Sequence, residues 1–464
     1  MIQKSFGLCA VLALALVYSG RPIQPQSRSS NSVVLYEGAR LVAGDGSQPL
    51  VNAAMLVENG MITRIGAKGS AGAPRTGLRI DLAGKTVMPT LINTHGHPGF
   101  QRGLTYSADN FTRETFIDDL NRALYFGIAV VQSQGIEKGE VTYQIRADQE
   151  AGKLGGARLR IAGRGMGAPN AGPGAAAYAG IAYEIATENQ ARQAVQELTA
   201  KKVNLIKIWV DDRNGRAPRL APNLYRAIID EGHKHGLLVN AHVFYHTDAV
   251  DLVEAGIDGL AHLVRDKDMD DGLVSSIVRR NVYVMPNLSP EWNTYAELPH
   301  WLRDGDPLMT LLQESVSPPV IARMRKAYEN RNPAAVDRTR TQYAILQRSL
   351  AKLAKANAKI ILGSDTGLED HLFGMSEQHE LESMVKAGMT PMQVIVSATS
   401  RAAEYLKLDK MGVLAAGKEA SFLVLDANPL EDITNTQRIS RIYIKGVEVD
   451  RAALRPALTK TFTN

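Results

Sequence analysis

Val87-Met-Pro-Thr-Leu-Ile-Asn-Thr-His-Gly-His-Pro-Gly-Phe100 decides how this chain is read. An apolar run ends in His95-Gly96-His97. In a strand, residues two apart point to the same side. Both imidazoles would then meet one point at the strand's end and chelate a divalent ion. Gly96 lets the backbone pass close by, and Pro98 stops the strand from continuing as ordinary ladder. A single His-x-His also arises in surface turns. The reading therefore depends on whether more ligands stand at the ends of later strands.

Outward from this stretch, the texture from residue 87 onward is apolar strand, loop and helix, repeated. Strands are expected over 87–93, 129–132, 159–162, 203–210, 237–241, 259–261, 282–285 and 359–363. Helical periodicity lies between them, as in 188–201, 224–235, 248–255 and 343–356. Eight strands alternating with helices predict an α/β chain with a (β/α)8 TIM barrel over 87–411. The stretch from about 288 to 340 is rich in Pro and charge and reads as a lid-like insertion of extra helices. Before the barrel, 33–86 carries short strand runs punctuated by Gly60, Gly66 and Gly84. After it, 412–450 returns to that texture at Phe422–Leu425 and Ile439–Ile444. These two pieces predict one small β-sandwich built from both chain ends, with 451–464 as a C-terminal tail.

A chain of 464 residues exceeds one small core, which suits a large barrel plus a second unit. Apolar content of 45% marks a globular protein. The net charge of +5 is mild, and no Lys/Arg block tracks a phosphate backbone, so nucleic acid is not an expected partner. Lys4, an apolar segment from Phe6 to Tyr18 and a polar stretch after it have the layout of a secretory signal, with Val17-Tyr-Ser19 as cleavage context. The expectation is a signal peptide over 1–19, a Ser/Pro/Gln-rich linker over 20–32, a secreted or periplasmic protein and no stable membrane span after signal removal. The only cysteine, Cys9, lies inside that signal. Disulfides and thiolate chemistry are thereby excluded from the mature chain, and any metal must use N and O ligands.

Active sites of such barrels lie where strands end on the C-terminal face. The first strand offers His95 and His97 there. The fourth carries Lys207 within Leu205-Ile-Lys-Ile-Trp-Val210; an ammonium in an apolar parallel strand is costly unless paired or chemically changed. The fifth ends in Asn240-Ala-His242, the sixth in Leu260-Ala-His262 and the eighth in Leu362-Gly-Ser-Asp365. Each alone has a structural explanation, such as a satisfied core histidine or a helix N-cap aspartate. Together with the His-Gly-His they point to one metal site.

At these residues the chain resembles the amidohydrolase superfamily, in its imidazolonepropionase-like and Xaa-Pro dipeptidase-like branch. The resemblance runs from about residue 33 to 450 and includes Ala398-Thr-Ser-Arg-Ala-Ala403 and Gly412-Val-Leu-Ala-Ala-Gly-Lys418. It implies a binuclear centre of divalent metals, often zinc. His95, His97, His242, His262 and Asp365 match the family's ligands, Lys207 its bridging lysine, usually carboxylated by CO2, and Asp365 also its catalytic aspartate. A carbamate on Lys207 would turn a buried cation into an anion with one oxygen for each ion. His95, His97 and Asp365 would hold one ion, His242 and His262 the other. A hydroxide between the two attacks near neutral pH, because a bound metal lowers a water's pKa to about 7. Asp365 would move its proton to the leaving group. The chain departs from the family at Asn93, where Asp is frequent, and at Ala261, where Glu is frequent. It also departs in the loop Gly165–Gly174, which replaces a frequent His-bearing loop.

The expected function is hydrolysis of an amide bond in a small, dipeptide-like, N-acyl amino acid or cyclic amide substrate. Lactone or phosphotriester hydrolysis on the same centre is the alternative, with a deaminase or a non-catalytic barrel scaffold behind it. Loops over the same face would contact substrate through Tyr178, Tyr183, Tyr245, His246 and Arg265, the last as a clamp for a carboxylate. His371 and Phe373 are similar candidates. A homo-oligomer is left open. There is no Gly-x-Ser-x-Gly elbow to supply a serine nucleophile.

Overall fold

A computed structural model describes residues 33–70, 77–103, 105–174, 176–290 and 300–461. The expected signal peptide and linker, residues 291–299 of the insertion and 462–464 of the tail lie outside the described residues.

The barrel strands are Leu91–Gly96, Ile128–Ser133, Arg158–Arg160, Leu205–Val210, Leu238–Val243, Gly259–Ala261, Tyr283–Met285 and Lys359–Ile360. Neighbours pair in parallel. The ladders run as two arcs, one of the first three strands and one of the last five, the latter extended by the short pieces Met166–Gly167 and Tyr183–Glu184. Single hydrogen bonds stand at both seams. Thr94 N donates to Leu362 O at 2.9 Å and His97 N to Thr366 O at 2.6 Å on one side, and Asn204 N to Ile161 O at 2.7 Å on the other. The result is an α/β fold of TIM-barrel type.

The helices form where the sequence supplies both a cap and an apolar face. Glu188–Ala200 starts on a capping box of Thr187 and Gln190, and it buries Ala191, Ala194, Val195 and Leu198. That i, i+3, i+4, i+7 spacing lays one stripe against the sheet. After the seventh strand, the described part of the insertion includes the short 3-10 helix His300–Leu302, the helices Pro307–Ser315 and Pro318–Glu329 and the first turns of Pro333–Lys355. Arg323 fixes it to the loop after the eighth strand through Asp370.

One expectation changes. The run expected as one strand over 87–93 is divided at Pro89, whose missing N–H leaves a gap in any ladder. Thr86–Pro89 pairs with Val33–Leu41 and Phe422–Leu425, while Leu91 begins the first barrel strand. The strands of the two chain ends then form one continuous eight-stranded hydrogen-bonded sheet. Thr86–Pro89 is the reason, because it joins the N-terminal and C-terminal strands edge to edge. The sheet encloses its own apolar cluster, in which Phe422 stacks on Tyr443 at 4.6 Å and meets the edge of Tyr36 at 5.1 Å. The last residues form the helix Arg451–Thr461. Arg122 and Arg451 bind it to the helix Arg113–Tyr125 through Leu458 O and Tyr125 O. Among the described residues, no helix is long and apolar enough to cross a membrane.

Candidate metal centre

Four of the six expected ligands converge at one point. The Nε2 atoms of His95 and His97 lie 3.2 Å apart. Asp365 Oδ1 is 3.1 Å from the first and 2.9 Å from the second, and Asp365 Oδ2 is 3.8 Å from His262 Nε2. His95, His262 and Asp365 offer ligand atoms all within 4.8 Å of one another. All four side chains are buried. Two of them stand on left-handed backbone, His262 at φ +81° and Asp365 at φ +52°. Outside glycine this conformation costs about 1–3 kcal/mol and collects at functional sites.

The barrel seam explains how Asp365 reaches the first strand. The bonds of Thr94 and His97 to Leu362 and Thr366 place residues 362–366 against 94–97. Asn93 locks the join: its Oδ1 accepts from His95 N at 2.9 Å, and its Nδ2 donates to Ser364 Oγ at 3.0 Å and Glu377 Oε1 at 2.6 Å. Burial raises Glu377 to about 7, and Asn93 and Gly374 N partly offset it.

Burial also lowers the imidazoles. His95 falls to about 3 through burial and then the charge of Lys207, and His262 and His242 fall mainly through burial. Burial pushes Asp365 upward, but the adjoining histidines outweigh it and hold the carboxyl well below its ordinary value. Neutral imidazoles beside a carboxylate are the donor set a borderline divalent ion takes. The arrangement fits such an ion at His95, His97, His262 and Asp365.

Lys207 and His242 are placed less simply. The Lys207 ammonium is buried and brought down to about 7 by burial, which Asp365 partly opposes. Gly135, at φ +92°, makes room for its stem: a Cβ there would lie 2.7 Å from Lys207 Cγ. The His242 ring is 4.7 Å from that of His262, but its Nε2 lies 3.1 Å from Asp211 Oδ2, one residue past the fourth strand. His242 is therefore not gathered into the cluster as expected. Its Nε2 is held by the Asp211 carboxylate.

The expected substrate contacts divide. Tyr178 stands over the cluster, 6.1 Å from the His97 ring, bonded to Tyr106 and packed on Phe100. Arg265 lies over Phe244 within electrostatic range of Asp211 and the histidines. Tyr183 is turned away: its hydroxyl donates to Glu197 on the outer helix, and Arg164 stacks on its ring. Tyr245 gives its hydroxyl to Asp212 at 2.8 Å beneath Arg219. His246 is buried with Nε2 3.1 Å from Asp270 Oδ2 and its N–H on Asp266, and so ties two loops together. Each of these three has a polar partner within the protein. His371 is buried near Asp365, and burial lowers it to about 4.

Asn287, Asp211 and Glu377 are the site residues the sequence reading missed. Asn287 lies two residues beyond the seventh strand, where the strand-end rule could have found it. Its amide reaches His95 Nδ1 at 2.8 Å and His262 Nδ1 at 3.2 Å. A second group, His300, His379 and Glu382, also gathers ligand atoms. However, His300 has both ring nitrogens on carboxylates, Asp306 at 2.8 Å and Glu382 at 3.0 Å, and Lys386 sits on Glu382 at 2.6 Å. That is the environment of an imidazolium, and these carboxylates raise His300, Glu382 foremost.

Fold and cluster together define a barrel protein with a divalent-metal ligand set where its parallel strands end. Residues 86–449 match the amidohydrolase family, and the chain belongs to it. An uncharacterized protein of Mycobacterium tuberculosis is 31% identical over 114 residues, so this chain spans about a third of that relative's length (30%). Ochratoxinase of Aspergillus niger is 23% identical over 452 residues, covering 89% of this chain and 85% of the relative. Among solved structures, a Xaa-Pro dipeptidase with bound methionine superposes with TM-score 0.71 at 21% identity, covering 90% of this chain and all of the other. Phenylurea hydrolase B superposes with TM-score 0.72 at 22% identity, over 93% and 100%. At these identities the likeness concerns the fold.

Proposed function

We propose that this chain is a metal-dependent hydrolase of an amide bond in a small, peptide-like molecule. The observation that supports it most is the convergence of His95, His97, His262 and Asp365 around one point, in a family whose fold neighbours include a dipeptidase and a phenylurea hydrolase. His95, His97 and Asp365 would hold one divalent ion. His262, His242 and Lys207 would hold a second once His242 exchanges Asp211 for the ion. Zinc suits the nitrogen and oxygen donors. Divalent ions, when bound, supply an acidified water and polarise the scissile carbonyl.

The chain's own residues do the rest. Asp365 has one oxygen against His95 and His97 and the other toward His262, so it can take the proton of the attacking water and deliver it to the leaving nitrogen. Burial leaves a fraction of Lys207 as free amine near neutral pH, the form that adds CO2. The lone pair of Nζ bonds the carbon, one amine proton is released, and the product is a carbamate anion. Tyr178 and Tyr106 wall the space over His97 and keep water from one side. The same reading closes the eight strands into one ring and sends the mature protein, cut after Ser19, outside the cytoplasm.

The test is a screen of dipeptides, N-acyl amino acids, cyclic amides, lactones and phosphotriesters with zinc and bicarbonate present. Turnover of an amide that is lost in Asp365→Asn supports the reading. Turnover of the esters alone, or activity unaffected by chelators, refutes it.

A further inference from the structure

We propose that Asn287 is a positioning residue whose side-chain oxygen sets the tautomer of His95 and His262 together, so that both turn Nε2 toward the metal. The proposal rests on the metal reading above and goes one layer beyond the ligands.

Asn287 is fully buried and stands on left-handed backbone at φ +50°, two residues past the seventh strand. One end of its amide lies between two imidazoles from different strands, 2.8 Å from His95 Nδ1 and 3.2 Å from His262 Nδ1. The placed orientation turns Nδ2 toward both rings and leaves Oδ1 buried without a hydrogen bond to any described residue. Amide oxygen and nitrogen have the same shape, so the bonding network decides which one faces a partner.

The two orientations have opposite chemical consequences. An amide N–H toward the rings requires Nδ1 of each to accept. A neutral ring then carries its proton on Nε2, so that of His95 points at Asp365 Oδ1 (3.1 Å) or His97 Nε2 (3.2 Å), and that of His262 faces Asp365 Oδ2 at 3.8 Å. Neither of these two rings then offers a lone pair to a cation. An oxygen toward the rings has two lone pairs, one for each Nδ1–H. Both rings then carry their proton on Nδ1, and both Nε2 lone pairs face Asp365, where the ion belongs. Rotation of the amide by half a turn exchanges the two networks. A partner on the far nitrogen fixes the ring and raises the basicity of the ligating one. Here a single neutral residue does so for histidines that the proposed function assigns to different ions.

Zinc affinity, measured on the full chain by competition with a chromophoric chelator, tests this with two variants. Asn287→Asp keeps an acceptor for both Nδ1–H groups, whereas Asn287→Leu keeps the size and removes it. The expected order is affinity near wild type for N287D and a loss of about 10–100-fold for N287L. A residue that merely fills space would give the reverse order, since the leucine packs and the buried carboxylate is costly. That order, or equal affinities, overturns the proposal. Nitrogen-15 spectra of the zinc-loaded wild type provide a second reading that leaves Asn287 unchanged. Two rings protonated at Nδ1 and metal-bound at Nε2, assigned by their loss in His95→Ala and His262→Ala, support it, and any other tautomer for either ring refutes it. A wild type that binds no zinc removes the metal reading and this proposal together. A wild type that binds zinc while N287L binds it equally well removes this proposal alone.

Discussion

Gly135→Ala should disturb Lys207 more than any neighbouring glycine substitution, and its cost can be worked from contacts. Gly135 has φ +92°, where an L-residue costs about 1–2 kcal/mol. Its new Cβ would lie 2.7 Å from Lys207 Cγ, 2.9 Å from Lys207 Cβ and 3.0 Å from Trp209 Cη2. Lys207 Cβ is fixed to the backbone, and Cγ can move only by a change of χ1 on a fully buried strand. Overpacking of this kind costs about 1–3 kcal/mol, for a total of about 2–5 kcal/mol. Gly139 supplies the control, at φ +68° with nothing within 4 Å of its would-be Cβ, so Gly139→Ala should cost only the backbone part. The assay is urea unfolding of both metal-free variants beside wild type, with bound zinc counted after reconstitution in bicarbonate. Gly135→Ala should unfold at lower urea than Gly139→Ala by about 1–3 kcal/mol and hold less zinc. Equal stabilities with undiminished zinc would mean that Lys207 does not rest on Gly135 or does not serve the metal.

Three further outcomes can be checked. Asp365→Asn should keep much of the metal and reduce turnover by about 10²–10⁴-fold, read by steady-state kinetics and metal analysis; unchanged turnover removes Asp365 from proton transfer. His300 is raised by Glu382 and Asp306, so its contribution to anchoring the insertion is complete below the ordinary histidine value of about 6.5 and is lost as pH rises through the raised one. Hydrogen exchange should therefore quicken in residues 300–329 on the alkaline side, and His300→Gln should flatten that dependence. Arg122, fully buried, donates to Ser315 O at 2.7 Å and Leu458 O at 3.1 Å. Arg122→Met should strand both carbonyls and lower stability by about 2–5 kcal/mol in chemical denaturation.

The strand-end ligands were legible because a polar residue directly after an apolar parallel strand is a local pattern. Asn287 obeys the same rule, but an Asn after Met-Pro reads as an ordinary turn. Glu377 was hidden for a different reason: it sits inside the helix Met375–Lys386, where charge normally marks a solvated face, and only the packing shows that face buried. The apolar run from Val87 could not reveal that it feeds two sheets, since pairing partners lie more than three hundred residues away in Phe422–Leu425. Tyr183, Tyr245 and His246 were placed on the correct loops, and their directions were then set by Glu197, Asp212 and Asp270, which no spacing rule relates to them.

His242 shows most clearly where sequence reasoning ends. Its position after the fifth strand places its ring beside His262, yet Asp211 Oδ2 holds its Nε2 at 3.1 Å. Asp211 follows the strand that carries Lys207, and residues 207 and 242 lie on paired strands, with Trp209 opposite His242 in register. The fourth strand thus brings both the residue that would bridge two ions and the carboxylate that now holds a ligand of the second. Burial pushes Asp211 upward, but its hydrogen bond to His242 and the neighbouring positive charge outweigh it and hold the carboxyl at about 2, so it remains an anion at neutral pH. If His242 serves the second ion proposed above, filling that position displaces a charged partner, while the first position, at His95, His97 and Asp365, needs no such exchange. Sequential loading follows from that asymmetry. Zinc titration of the wild type should show a tight site and a weaker one, and Asp211→Asn should strengthen the weaker site while leaving the tight one unchanged. Two sites of equal affinity, or a second site weakened by that substitution, would show that Asp211 supports the ion instead of competing with it.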